Sequence, residues 1–352
     1  TVVLDAQPTS DVVIAITSND TGESSVPSAL TFTPANWDTT QTVTVTGVDD
    51  DIIDGTQTSS LTITVDDSNS DNDFDSVADQ TISVTTSDND VAGFTIAETD
   101  GSTSVAESGT TDTFTVVLNA EPDSDVVLSI SSSDTGEATV TSALTFTSAN
   151  WDTAQTVTVT GVDDDLIDGT ITSTITVSVN DGSSDNNFDS VSDQTVSVST
   201  TDDDVAGFTI AETDSSTSVS ESGTTDTFTI VLNAQPSSDV VLSVTSGDTG
   251  EATVTGTITF TSANWDTAQT VTVTGVDDDI IDGTITSTTT ITVVDAISDD
   301  NFDSVSDQTV SVTTTDDDVA GFTIAETDGS TEVNESSTTD TFTVVLDAQP
   351  DS

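Results

Sequence analysis

Apolar residues along this chain alternate with Thr, Ser and Asp at every second position. Thr111–Asn119 (T-D-T-F-T-V-V-L-N) and Thr156–Thr160 (T-V-T-V-T) show the pattern plainly. A period of two gives a β-strand one apolar and one polar face. The stretch from Phe94 to Asp204 then reads as a plan of short strands. Phe94–Glu98 and Thr103–Ala106 are pieces of a first strand, and Thr111–Asn119 is a second, ended by a turn at Glu121-Pro122. Asp125–Ser131 follows, closed by Ser133-Asp134-Thr135-Gly136, and Ala138–Thr147 holds one or two strands before an Ala149-Asn150-Trp151 corner. Thr153–Thr160, Ile171–Asn180 and Gln194–Thr201 complete the set. About seven short strands with turn residues between them predict an antiparallel β-sandwich.

The pattern itself recurs. Trp37, Trp151 and Trp265 are spaced by 114 residues, as are Val91, Val205 and Val319 of a repeated V-A-G-F-T-I-A-E-T-D. That period is the size of one domain, and roughly 110 residues can bury a core. The expected fold class is all-β, tandem immunoglobulin-like sandwiches joined by linkers such as Asp202–Gly207, too short to be free tethers. Expected boundaries are 1–90 for a repeat lacking its first strand, 91–204 and 205–318 for two full repeats, and 319–352 for the first strands of a fourth. Sandwiches about 35 Å long, joined end to end, predict a rod. Thr1 falls mid-strand in the repeat phase, so the chain reads as part of something longer.

Charge changes the picture most. Of 352 residues 65 are Asp or Glu and none is Lys, Arg or His, a formal net charge of −65. Such a charge opposes compaction unless ions screen it. Nucleic acid and anionic membrane surfaces, which need Lys and Arg, are excluded as partners. No run is long enough for a membrane-spanning helix. Cys is absent, so neither disulfides nor thiol chemistry arise, and without Lys no Lys–Asn isopeptide forms. With no His, Cys, Lys, Arg or Tyr, no base is present to activate Ser or Thr, and an enzyme is not expected.

The acids are also concentrated. G-V-D-D-D-L-I-D-G-T at Gly161–Thr170 recurs at Gly47–Thr56 and Gly275–Thr284, with Ile52 and Ile280 in place of Leu166. Each copy puts four carboxylates at a strand end within six residues. The triplet Asp202-Asp203-Asp204 follows a strand running the same way, so two triplets can meet at one pole. Like charges that close repel unless a cation lies among them, and none is in the chain. Calcium, a hard ion taking six to eight oxygens, is the expected partner. The loop is not an EF-hand, since Leu166 stands at the third position from Asp164 and no Glu at the twelfth. The glycine-rich nonapeptide of β-rolls is absent too. The scattered Asp of Asp181–Asp189 read instead as solvated surface. Trp151 reads as a core residue at the end of the sandwich. The Thr-x-Thr arrays read as ordinary β-formers, and Asn19-Asp20-Thr21 and Asn334-Glu335-Ser336 as weak glycosylation signals.

V-x-V-x-G-V-D-D-D-x-I-D-G, followed by V-S-V-x-T-x-D-D-D, resembles the Calx-beta domain of sodium–calcium exchangers, integrin β4 and bacterial surface arrays. The resemblance covers the whole chain as tandem units. It implies seven-stranded immunoglobulin-like sandwiches that bind calcium at the pole beside the next domain. Carried over by position, the second repeat's ligands are Glu107, Asp134, Asp163, Asp164, Asp168, Asp202, Asp203 and Asp204, with the Leu166 carbonyl. The third repeat offers Glu221, Asp248, Asp277, Asp278, Asp282, Asp316, Asp317 and Asp318. In the first, Asp20, Asp49, Asp50, Asp54, Asp88 and Asp90 remain, with Asn89 in the middle of its second triplet. Ile171 stands where exchanger domains carry a further acid, which implies one ion fewer.

The functional expectation is a structural, calcium-rigidified stalk or filament segment of a bacterial adhesin or fibre, at the cell surface or secreted. Its partners would be calcium and copies of itself or neighbouring repeats. Two alternatives stay open. One is head-to-tail assembly, the tail Phe322–Ser352 supplying a neighbouring chain's first repeat with strands equivalent to Phe94–Phe114. The other is a calcium-dependent carbohydrate- or receptor-binding module.

Overall fold

The computed structural model describes residues 1–350. By internal contacts the chain falls into two compact units, Thr1–Val162 with Thr172–Thr200 and Asp163–Ile171 with Thr201–Ser352. The division does not follow the repeat boundaries: the second repeat's acidic loop goes with the third repeat's sandwich.

The third repeat shows the complete fold. One sheet orders Phe208–Glu212, Thr225–Leu232, Gln269–Gly275 and Ala252–Val254. The facing sheet orders Thr217–Ser220, Gln308–Thr315, Ile285–Val293, Val240–Ser246 and Thr257–Phe260. Seven expected runs become nine strands because two of them break and change sheets. The first breaks at Asp214–Ser216, so that Thr217–Ser220 runs parallel to Gln308–Thr315 while all other pairs in this repeat are antiparallel. The second breaks at Thr255-Gly256. Alternation sends every second side chain inward. Phe228, Ile230, Leu242, Val271, Val273, Ile291 and Val312 meet in one buried core, with Trp265 packed at its edge. The second repeat builds the same core from Phe114, Val116, Leu128, Val157, Val159, Ile175 and Val198, with Trp151 likewise at its edge.

In the first repeat one sheet orders Ala29–Phe32, Val12–Ser18, Gln57–Val65 and Gln80–Thr86; the other is reduced to Ser24–Ser25 against Thr46–Gly47. Phe322–Glu326 and Phe342–Leu346 pair as a hairpin in the register of Phe208–Glu212 with Phe228–Leu232. Among the described residues no helix is long and apolar enough to cross a membrane. The helical elements are single turns of 3-10 helix, two per repeat, such as Asp295–Ile297 and Asp300–Phe302.

Those turns overturn the solvated reading for Asp185, while Asp181 and Asp189 of the same stretch are exposed as expected. Asp185 is buried and accepts the backbone N–H of Ser124 and Asn187, both at 2.9 Å. Asp299 repeats this, accepting the Ser237 hydroxyl at 2.7 Å, Ser238 N–H at 2.8 Å and Asn301 N–H at 3.0 Å. Asp71 does the same with Thr9 and Ser10. Each carboxylate staples a 3-10 turn to a loop about sixty residues away, replacing water with protein donors.

Candidate metal centre

The acidic loop is shaped by its own carboxylates. Asp278 Oδ1 accepts Ile280 N–H at 2.7 Å, and Asp50 and Asp164 close the same turn on Ile52 and Leu166 at 3.0 and 2.7 Å. The loop glycines, Gly55, Gly169 and Gly283, have φ of 72°, 77° and 82°. A β-carbon is disfavoured in that left-handed region. The twist aims each glycine N–H at the second triplet: Gly283 donates to Asp316 Oδ2 at 2.8 Å, Gly169 to Asp202 at 2.8 Å and Gly55 to Asp88 at 2.9 Å. The two triplets therefore meet at one pole, tied by backbone rather than by any positive charge.

In the third repeat this pole forms two groups of carboxylates whose oxygens lie within 4.8 Å of one another. One is Glu221, Asp316 and Asp318; the other is Glu221, Glu251 and Asp282. Glu221 belongs to both, follows the strand Thr217–Ser220 and is 1% exposed. Gly275 lets that strand in, because a β-carbon there would overlap the Ser220 carbonyl. Neither carboxylate oxygen of Glu221 has a hydrogen-bond partner, and Glu251 Oε2 and Asp318 Oδ2 are buried without one too.

Electrostatics follow from this crowding. Burial, then the charges of Asp316, Asp278, Asp282 and Glu251, push the Glu221 carboxyl up to about 7. Burial, then the charges of Asp282, Asp248, Asp278 and Asp316, raise Glu251. Asp318 is raised by burial, then Asp279 and Asp316. In the second repeat, burial and Asp202, Asp165, Asp203 and Asp163 push Asp204 up to about 6. In the first, Glu23, Asp50, Asp54, Asp88 and Asp90 line one cavity, and burial raises both Glu23 and Asp90. A cavity lined by carboxylates, in a chain with no basic side chain, fits a hard divalent cation.

The residues expected as ligands separate by position. Asp316 and Asp318 face the pole, but Asp203 and Asp317 between such pairs are exposed, because alternate residues of extended chain point opposite ways. Asn89 in the middle position of the first repeat is therefore no loss. Asp49, Asp163 and Asp277, first in their triplets, are exposed as well, with Asp278 half-buried beside Asp277. Asp20, Asp134 and Asp248 each spend Oδ1 on a turn, accepting Gly22, Gly136 and Gly250 at 3.1, 3.0 and 3.0 Å. Three residues on, Glu251 enters the group in place of Asp248. Glu107 and Glu137 of the second repeat are buried like Glu221 and Glu251. The Ile52 carbonyl accepts Asp54 N–H at 3.0 Å, and Leu166 is bridged to Gln235. Sequence reasoning missed Glu23, Glu137 and Glu251, although Thr-Gly-Glu recurs with the same 114-residue period.

No family model matches the chain, and no curated protein does. Solved structures similar to it include domains 4–9 of the surface-layer protein SbsC, with TM-score 0.28 and 19% identity over 89% of this chain and 40% of that one. Calcium binding domain CBD12 of CALX1.1 aligns with TM-score 0.25 and 16% identity, over 56% of this chain and 80% of that one. CBD12 from CALX1.2 gives 0.24 and 15%, over 56% and 79%. The chain thus spans well under half of the SbsC segment.

Proposed function

We propose that this chain is a non-enzymatic structural segment of a bacterial extracellular repeat protein of the Calx-beta type, a stalk or fibre at the cell surface or secreted, stiffened by calcium at its acidic poles. One observation carries the reading. Glu221 is buried, both of its oxygens lack a donor, and it is shared by two carboxylate groups in a chain without a basic side chain. Leaving such a group unneutralised costs far more than surface carboxylates do. Glu221, Glu251, Asp282, Asp316 and Asp318 would hold the ion in the third repeat. Bound calcium would supply positive charge and oxygen-directed coordination, tying the strand end of Glu221 to both triplets. Without it the poles repel and loosen, which suits export before folding. Titrating the chain with calcium in a calorimeter tests this. Saturable binding that is abolished by Glu221→Gln together with Glu107→Gln at two of the poles is expected. Absence of heat and of any change in melting temperature would sink it.

A second reading, assembly through the tail, is favoured by one feature. Phe322 is 62% exposed, whereas Phe208 in the intact repeat is 3% exposed, and Ile324, Phe342, Val344 and Leu346 are exposed too. Such a hairpin would complete a sheet in another copy. Light scattering across a hundredfold concentration range tests it. A monomer throughout, with Phe322→Ser changing nothing, would refute assembly.

A further inference from the structure

The acidic loop has a second face that the cation reading does not use. In the first repeat the Asp51 carbonyl accepts Glu121 N–H at 2.7 Å, and Ile52 is bridged to Glu121 of the second repeat. Asn187 of the second repeat donates its side-chain amide to the Ile53 carbonyl at 3.1 Å. Ile53 itself packs against the second repeat's core rather than its own. The arrangement recurs at the next loop. Gln235 N–H donates to the Asp165 carbonyl at 2.6 Å, Asn301 donates to the Ile167 carbonyl at 3.0 Å, and Ile167 packs against the third repeat's core. The third loop provides a control within the molecule. Its Asp279 carbonyl still accepts Gln349 N–H at 2.5 Å, but Ile281 has no such core beside it and is 41% exposed.

We infer that each sandwich carries a docking socket for the loop of the repeat before it, and that the loop's isoleucine (Ile53 or Ile167) latches one repeat to the next. This deepens the proposed function and rests on the reading of the poles as calcium sites. The loop is a single ten-residue turn. Asp50 and Asp54 face the acidic cavity of their own repeat, and Asp51, Ile52 and Ile53 grip the following one. A cation that fixes Asp50 and Asp54 removes the freedom of the same backbone that presents Ile53. Docking of Ile53 in turn fixes the carboxylates before the ion arrives. Coupling of this kind is reciprocal: whatever calcium adds to docking, docking adds to calcium affinity. The loop's third aspartate thus acts through its carbonyl, and its seventh position must be a branched apolar residue although it ligates nothing.

The test uses the full chain with two introduced cysteines, one exposed in the first repeat and one in the second, carrying spin labels. Calcium alone is the probe. In the unaltered loop calcium should narrow the inter-repeat distance distribution. Ile53→Ser, which removes no ligand, should abolish that narrowing. It should also weaken one class of calcium sites by about 5-fold or more, the lower end of typical coupling, with the ion count unchanged. Ile53→Val should restore both, and Ile281→Ser should alter neither. Narrowing in Ile53→Ser equal to that of the parent, or an unchanged affinity, overturns the latch while leaving the calcium sites standing. If the parent chain binds no calcium, the underlying reading fails and the latch with it.

Discussion

Glu221→Gln should change stability in opposite directions with and without calcium. Glu221 is shared between the group with Asp316 and Asp318 and the group with Glu251 and Asp282, so its loss damages both. At calcium 100-fold above Kd each bound ion adds about 2.7 kcal/mol. A domain of roughly 100 residues gains about 4 °C per kcal/mol, so each ion raises the melting temperature of this repeat by about 10 °C. Glu221→Gln removes up to two such increments, about 20 °C, whereas Asp282→Asn touches one group and removes about half of that. In chelator at pH 8 the order reverses. The amide places no charge among Asp316, Asp282 and Glu251, and its NH2 can donate to carboxylates that otherwise find no donor. The variant should then melt a few degrees above the parent. Differential scanning calorimetry with and without calcium reads both effects. A variant that keeps the full calcium-induced rise, or that melts below the parent in chelator, refutes the reasoning.

Further predictions concern pH and the carboxylate staples. Glu221 is raised from 4.5 to about 7 and Asp204 from 3.8 to about 6, so the folded state without metal holds these protons more tightly than the unfolded one. That stabilisation is complete below the unfolded values and is lost as pH rises through the folded ones. Melting temperature in chelator should therefore fall between about pH 4 and pH 7, while calcium, which needs ionised ligands, should flatten or invert the slope. A chelator-treated chain whose stability rises over that window would contradict the assignment. Asp299 behaves oppositely. Burial raises its pKa, but the donors Ser237, Asn301 and Ser238 outweigh it and leave it lowered, so its contribution persists above the unfolded value and is lost on acidification. Asp299→Ala should cost about 1–3 kcal/mol in urea unfolding at pH 7. A change below about 0.5 kcal/mol, the usual scatter of surface substitutions, would mean that the staple carries no weight.

The sandwich was legible because strand alternation and core burial are one fact seen twice. Phe114, Val157 and Val159 are polar-flanked in sequence and buried in structure. The two breaks were legible, as separate pieces in Phe94–Ala106 and in Ala138–Thr147, but the change of sheet at each was not, since it depends on which strands each half pairs with. At the pole, charge count and strand direction brought the triplets together correctly. Alternation within the triplet was overlooked, and so Asp203 and Asp317 were counted beside the half-buried Asp202 and Asp316 that point the other way. Asp248 stands among the ligands that the resemblance implies; its Oδ1 accepts Gly250 N–H, and Glu251, three residues on, joins Glu221 and Asp282. Asp185 read as surface because its donors lie sixty residues away, and no local pattern announces them. Ile53 and Ile167 give no signal within their own repeats, since the core each packs against belongs to the next one.

Small-angle scattering of the chain, titrated with calcium and then with chelator, tests the central claim most directly. The account predicts that calcium lengthens and stiffens the particle, raising its maximum dimension and sharpening its cross-section, and that chelator reverses both. Identical curves in calcium and chelator, at concentrations where calorimetry shows the ion bound, would contradict it.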